Sequence, residues 1–294
     1  MNKTKRFFSV GPFTGPFRGW FVICLSLGFL FMFPLFSSFL TSLKPTEMAS
    51  KFPPDYLPKE VTLNNYERIF VPAKGGFLEY GAWHYTVNSL VLAFGTVVGV
   101  SLLATLAGYG FARFKFFGKS TLFAFVLLMF MIPFQALLVP LFRILATFHL
   151  TNSLLGVIFV YITYNLPLSV FIMRNSFAEI PSAFEEAAMI DGASVLRIFR
   201  TIMMPLALPG LISTALFAFF ASWNEFFAAT VFISTNGKYP LPVMLTLLQS
   251  SQHGEIDWGL MQAGVIYTIL PCVLIFLVLQ KYYIQGLIAG GLKG

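Results

Sequence analysis

The chain has 294 residues, of which 57% are hydrophobic and 11% are charged, whereas a typical soluble domain has about 25% charged residues. Too few polar side chains remain to cover a folded chain of this size in water, so the composition excludes an ordinary soluble globule. The formal net charge of +7 comes from residues scattered through connecting segments, which form no continuous basic face for nucleic acid. We therefore predict a membrane protein with no nucleic-acid partner.

Six segments that are free or almost free of charged residues predict the membrane spans, because one charge at the bilayer centre costs roughly 2.5–3.5 kcal/mol. Each is long enough for the ~20 residues that cross the hydrocarbon core as a helix. The predicted spans are residues 20–42, 84–110, 120–142, 151–173, 204–232 and 259–281. Gly95 and Gly99 in the second span predict close packing of helices. The fold class is therefore all-α and polytopic, with residues 1–294 as a single transmembrane domain.

The distribution of basic residues predicts the orientation. With the amino terminus inside, 12 Lys and Arg residues fall on the inner side and 7 on the outer side, which satisfies the positive-inside rule. Lys3, Lys5 and Arg6 also resemble the start of a secretory signal. The apolar run that follows is longer than a signal core of roughly 7–15 residues and lacks an Ala-x-Ala cleavage pattern. We therefore expect a retained first span and cytoplasmic amino and carboxy termini.

The inner connection after the fourth span, at about residues 178–203, contains helix start and stop signals. Ser182 and Glu185 have the spacing of a capping box, and Glu185 and Glu186 lie near the positive end of the helix dipole. Gly192 stands where a left-handed carboxy-terminal cap is expected. A second helix follows from about Ser194. The pattern predicts a short helix, a glycine turn and a second helix.

The residues alone leave more than one interpretation of this helical pair. It can lie on the membrane surface as two interfacial helices. Alternatively, its small-residue face with acids at one end is suited to the groove of a cytoplasmic protein. DNA binding by a helix-turn-helix is disfavoured, since the first helix has two acids and no base.

One motif in this connection resembles a known family. Glu186-Ala187-Ala188, three residues, Gly192, nine residues and then residues 202–205 resemble the EAA loop of membrane subunits of binding-protein-dependent ABC importers. Met204 replaces the usual leucine, which is a volume-conserving change. Other segments resemble the six-span sugar-importer permeases similar to the smaller maltose-system permease. They are residues 42–45, 62–66, 88–90, 110–114, 132–133, 165–167, 223–226 and 286–294.

This resemblance implies a subunit of an ATP-driven importer that moves a sugar or oligosaccharide by alternating access. The expected partners are a homologous second permease, two ATP-binding subunits, an extracytoplasmic sugar-binding protein and membrane lipid. The chain itself is expected to be no enzyme and to hold no catalytic residue, metal or cofactor, with ATP and Mg bound by the partner ATPase. The implied location is the cytoplasmic (inner) membrane of a bacterium or archaeon.

The resemblance also implies where partners bind. The predicted ATPase-coupling residues are Glu185, Glu186, Ala187, Ala188, Asp191 and Gly192. The carboxy-terminal tail is expected to approach the ATPase through Gly290, Gly291 and Lys293, although a frayed end is the alternative. Polar candidates for contact with the binding protein lie in the last outer loop: Asn236, Gln249, Ser250, Gln252 and His253.

Candidates for the translocation pathway are Asn165, Trp223, Asn224 and Glu225. Glu225 interrupts the fifth span, and an acid there either faces a water-filled path or anchors the outer end of the span. The sequence leaves both interpretations open.

Two other functions are alternatives to the importer. An ion-coupled secondary transporter would use broken helices near mid-membrane, and the segment 165–167 could mimic one. A membrane enzyme would need clustered intramembrane acids or a nucleophile and base, and the sequence offers neither. Residues 118–120 resemble the end of a phosphate-binding loop, but Arg113 stands where that motif requires glycine.

Overall fold

The computed structural model describes residues 17–72, 78–249 and 256–291, and the regular elements within these ranges are helical. The helices are α1 Phe17–Ser42, α2 Thr46–Ala49, α3 Asn64–Phe70, α4 Ala82–Arg113, α5 Lys119–Phe130, α6 Phe134–Thr147, α7 Leu154–Ala178, α8 Ala183–Ile190, α9 Val195–Ile198, α10 Met204–Leu206, α11 Leu208–Trp223, α12 Phe227–Phe232, α13 Leu241–Gln249 and α14 Trp258–Gly291. A π-helical turn, Phe199–Met203, joins α9 to α10, and a 3-10 turn covers Asn236–Lys238. The predicted all-α class is confirmed.

The centre of the bundle is the pairing of α4 with α7, and α11 packs across both. The close approach depends on glycine. A Cβ built on Gly95 would lie 2.7 Å from Ile158 Cδ1, and one on Gly99 would contact Ile162, so the predicted close packing of the second span is confirmed. Gly108 approaches the backbone of α7 itself, because its Cβ would lie 2.8 Å from the backbone nitrogen of Arg174.

α1 lies on the outside of this bundle against α14. The most apolar stretch of α1, within Gly19–Ser42, contains no buried residue. Trp20, Phe29 and Phe31 are among its large exposed side chains. A helix that exposes apolar side chains all round is suited to lipid or to another membrane chain.

Four helices are long and apolar enough to cross a membrane: Gly19–Ser42, Ala82–Arg113, Leu154–Ala178 and Trp258–Gln280. Two further candidates are bent pairs, so the described part of the chain offers six spans if each pair counts as one. The spans predicted at 120–142 and 204–232 are therefore bent pairs of helices rather than single continuous helices.

Proline explains the first break. α5 and α6 meet at an angle of 103°, and Pro133 stands immediately before α6. The residue before a proline is disfavoured in helical conformation, so α5 ends before this point. With 12 residues, α5 is about 18 Å long at 1.5 Å per residue, well short of the ~30 Å hydrocarbon core.

The fifth predicted span is interrupted twice. The segment Val195–Leu206 meets α11 at 73°, where Pro205 and Pro209 flank the break at Ala207. Neither proline can donate a backbone hydrogen bond to the helix. The chain then leaves helix again after Trp223 and resumes at α12.

Candidate functional site

The helical pair α8 and α9 exposes apolar side chains. Its apolar side chains at Phe184, Met189, Ile190, Val195 and Leu196 are each at least half exposed, with Ile190 reaching 86%. They lie beside the exposed residues Glu186, Ala187, Asp191 and Gly192. Adjacent apolar residues with a polar border are typical of a protein contact surface.

Gly192 closes α8 in the left-handed conformation that the sequence predicts. Its φ is +75°. Its N–H donates to the Met189 carbonyl at 3.0 Å, and the Ala193 N–H donates to the Ala188 carbonyl at 2.9 Å. These two bonds form a Schellman motif, which satisfies the last carbonyls of the helix. The predicted cap is confirmed, and it sets the direction in which the chain continues to α9.

The predicted capping box does not form. Ser182 precedes α8, but its side chain makes no capping hydrogen bond. Glu185 is turned toward the bundle instead. Its Oε2 lies 2.9 Å from Arg113 Nε, and its Oε1 accepts a 2.9 Å hydrogen bond from the Tyr109 hydroxyl. A carboxylate engaged in this way cannot also reach back to the backbone of Ser182.

Among the predicted coupling residues, Glu185 lies on the side of α8 that faces the bundle. It is 7% exposed, so as the chain is folded its carboxylate does not face a partner. Ala188 is buried as well, at 8%. Glu185 and Ala188 share the side of α8 that faces the bundle, because a helix places i and i+3 on one side. The other four predicted residues are exposed on α8 and its turn.

Tyr109 and Arg113 complete this junction, and sequence reasoning missed both. Arg113 also donates to the Ile180 carbonyl just after α7. The Tyr109 ring packs against Phe177 at 5.3 Å and Phe199 at 4.9 Å between centroids. Nothing local in the sequence marks Arg113 as the partner of an acid on another helix.

Glu225 lies between α11 and α12 and is bound to protein on several sides. Its carboxylate accepts the N–H of Ala228 at 2.9 Å and of Ala229 at 3.3 Å. Its Oε2 also accepts the Tyr161 hydroxyl at 2.7 Å. An acid that accepts the first free N–H groups of a helix stabilises that helix end. Of the two interpretations, this geometry favours the polar anchor.

We expect the Glu225→Gln variant to transport at nearly the wild-type rate, because the amide oxygen can still accept hydrogen bonds. Glu225→Ala removes the acceptor and should cost about 0.5–2 kcal/mol, as for other helix caps. Thermal unfolding of the purified variants measures the second effect, and uptake measures the first. A stable Glu225→Gln variant that no longer transports would instead assign Glu225 to the pathway.

Trp223, another predicted pathway residue, is enclosed by the bundle. It is 1% exposed, its ring stacks on Phe219 at 5.4 Å, and its N–H donates to the Thr268 carbonyl at 3.1 Å. A side chain enclosed by its own bundle does not line a pathway in this conformation. Asn224 next to it is exposed, with its amide donating to the Phe220 carbonyl at 2.8 Å.

Asn165 lies part-buried on α7 and donates to the Tyr161 carbonyl at 2.8 Å. α7 runs without interruption through Pro167. The segment 165–167 is thus no broken helix, which removes the feature that favoured a secondary transporter.

The turn that contains Asn236 is fastened to the start of α4. Asn236 Oδ1 accepts the Tyr85 hydroxyl at 2.6 Å, and the Gly237 carbonyl accepts the Asn88 amide at 3.0 Å. Asn152, which sequence reasoning missed, binds the other side of the turn through its Oδ1, which accepts the N–H groups of residues 234 and 235. Asn236 is therefore held structurally before any partner arrives.

The remaining candidates are only partly described. Gln249 is exposed at the end of α13. Ser250, Gln252 and His253 lie outside the described residues. Gly290 and Gly291 are in the last turn of α14, and Lys293 lies outside the described residues.

Comparison with known proteins gives consistent matches. Residues 100–288 match the family described as "Binding-protein-dependent transport system inner membrane component". The trehalose/maltose transport system permease protein MalG of Thermococcus litoralis is 36% identical over 233 residues, which is 79% of this chain and 82% of that protein. The arabinooligosaccharides transport system permease protein AraQ of Bacillus subtilis is 33% identical, with 92% of this chain and 93% of that protein covered.

A solved structure supports the same fold. One chain of a crystal structure of a bacterial ABC transporter involved in the import of the acidic polysaccharide alginate superposes with a TM-score of 0.78. The superposition covers 93% of this chain and 100% of that chain at 21% identity. At this identity the likeness concerns the fold.

Proposed function

The chain belongs to the family of binding-protein-dependent transport system inner membrane components, and from this premise we propose that it is the permease subunit of an ATP-driven carbohydrate importer. The observation that carries the proposal is the exposed α8 surface that ends in the left-handed Gly192. It has the motif of the family loop, and relatives matched over 82% and 93% of their own length are named for trehalose/maltose and arabinooligosaccharide transport.

The proposed role of this chain is movement rather than chemistry. A partner ATPase would bind ATP and Mg, dock on the exposed face of α8 and displace it as it closes. The bundle would then alternate between outward and inward access. The segment 118–120 gives no reason to place ATP here, because Arg113 stands where the phosphate-binding loop requires glycine.

The proposed assembly contains a homologous second permease, two ATP-binding subunits and an extracytoplasmic sugar-binding protein. The exposed apolar face of α1 offers surface for a second membrane chain or for lipid. The turn around Asn236 would form part of the outer surface that contacts the binding protein. In this arrangement both termini are cytoplasmic, in the cytoplasmic membrane of a bacterium or archaeon.

Isolation of the complex from its native membrane tests this proposal. A tag on the amino terminus leaves the tail free, and mass spectrometry identifies the retained proteins. We expect an ATPase, a second permease and a binding protein, and denaturing that binding protein should release the sugar that it carries. Recovery of the chain alone, with transport in ATP-free vesicles under an ion gradient, would contradict the proposal.

A further inference from the structure

The junction of α4, α7 and α8 contains an ion pair that is largely enclosed, with a buried Glu185 and a part-buried Arg113. The side chains of Arg113 and Glu185 are 15% and 10% exposed. Burying two charges is costly unless they are paired and their remaining polar atoms are satisfied. Here Tyr109 supplies a hydrogen bond to the carboxylate, and the Ile180 carbonyl accepts one from the guanidinium.

This ion pair is the polar attachment of α8 to the bundle. Of the eight residues of α8, all within the described part of the chain, only Glu185 and Ala188 are buried. Ala188 has a small side chain and offers little apolar area. The large apolar residues of α8, Phe184, Met189 and Ile190, are exposed. The orientation of α8 against the spans therefore depends on the Glu185 carboxylate more than on apolar packing.

The other partner of the ion pair, Arg113, lies at the end of a helix that runs through the centre of the bundle. Arg113 is the last residue of α4, and α4 packs along α7 and α11. The Gly108 contact holds α4 against the α7 backbone one turn earlier. A displacement of α8 that pulls on Glu185 is thus applied to the end of the helix at the centre of the bundle.

We propose that Glu185, Arg113 and Tyr109 form a clasp that transmits the displacement of α8 to α4. Glu185 is then a positioning residue of the coupling loop, and it does not contact the ATPase. This inference rests on the proposed importer function. It separates two neighbouring acids, because Glu186 faces the partner while Glu185 faces the bundle.

Variants that neutralise Glu185 and Arg113 distinguish a role of the ion pair in coupling from a role in folding. Glu185→Gln and Arg113→Gln each leave one enclosed or part-buried charge without its partner, so both should lower the yield of the complex. The double variant Arg113→Gln/Glu185→Gln removes both charges and should restore the yield. Glu179→Gln is the matched control, because Glu179 is an exposed acid at the end of α7.

The measurement is phosphate release by the purified complex in vesicles, with and without its binding protein as isolated from the host. The stimulation factor is the ratio of the two rates. We expect wild type and Glu179→Gln to be stimulated alike. The double variant should assemble and hydrolyse ATP, but its stimulation factor should fall at least about fivefold, the lower end of typical coupling between sites.

Wild-type stimulation in the double variant would overturn the clasp, since the pair would then serve folding alone. If the double variant does not accumulate, Tyr109→Phe replaces it, because this change keeps the ring and removes one hydrogen bond to Glu185. Tyr109→Phe should also lower the stimulation factor, and an unchanged factor would overturn the proposal. Absence of stimulation in wild type would contradict the importer function itself.

Discussion

Replacing Gly108 with alanine is expected to remove most of the folded protein from the membrane. A Cβ at this position would lie 2.6 Å from Met173 Cβ and 2.8 Å from the Arg174 backbone nitrogen. A backbone atom cannot rotate away as a side-chain tip can, so α4 and α7 must separate. Overpacking of this kind costs about 1–3 kcal/mol, and the two helices form the largest contact of the bundle.

Gly110 provides the matched control for this prediction. It lies on the same helix, two residues further on, and a Cβ there would meet no non-local heavy atom of the described residues within 4 Å. Gly110→Ala should be neutral or slightly stabilising, since alanine favours helix over glycine. The measurement is the amount of monodisperse protein in mild detergent and its melting temperature. Equal melting temperatures for the two variants would refute the proposed close contact.

Replacing Gly192 with valine is expected to abolish the coupling of ATP hydrolysis to transport. The position has open space around it, so a side chain meets no clash. The cost arises from the backbone, because φ is +75° and a residue with a Cβ pays about 1–2 kcal/mol in left-handed conformation. A β-branched residue is especially unfavourable there. The turn should relax and reorient α8 relative to α9.

The control variant is Gly192→Asn, because asparagine tolerates the left-handed conformation better than other residues with a Cβ. The protein should reach the membrane in both cases, since the strain is confined to an exposed turn. We expect uptake per ATP hydrolysed to be lost in the valine variant and largely retained in the asparagine variant. Wild-type uptake by Gly192→Val would show that this geometry is dispensable.

The sequence predicted several features because each depends on local chemistry. A low charge content marks a chain in lipid, and the four long helices follow from uninterrupted apolar segments. The left-handed conformation of Gly192 follows from its position at a helix end. The family was identified from motifs that keep their spacing along the chain, and the later match over residues 100–288 agrees with it.

The tertiary structure alone decided which charged and aromatic residues are enclosed. Glu185 and Glu186 are neighbours with the same chemistry, yet only Glu185 faces the bundle, because Tyr109, 76 residues away, and Arg113 lie beside it. Trp223 was predicted in the pathway and is enclosed instead, since α14 covers it. Glu225 became a helix cap only when α11 ended before it. Periodicity shows which residues share a helix face, but the packing of distant helices determines what that face contacts.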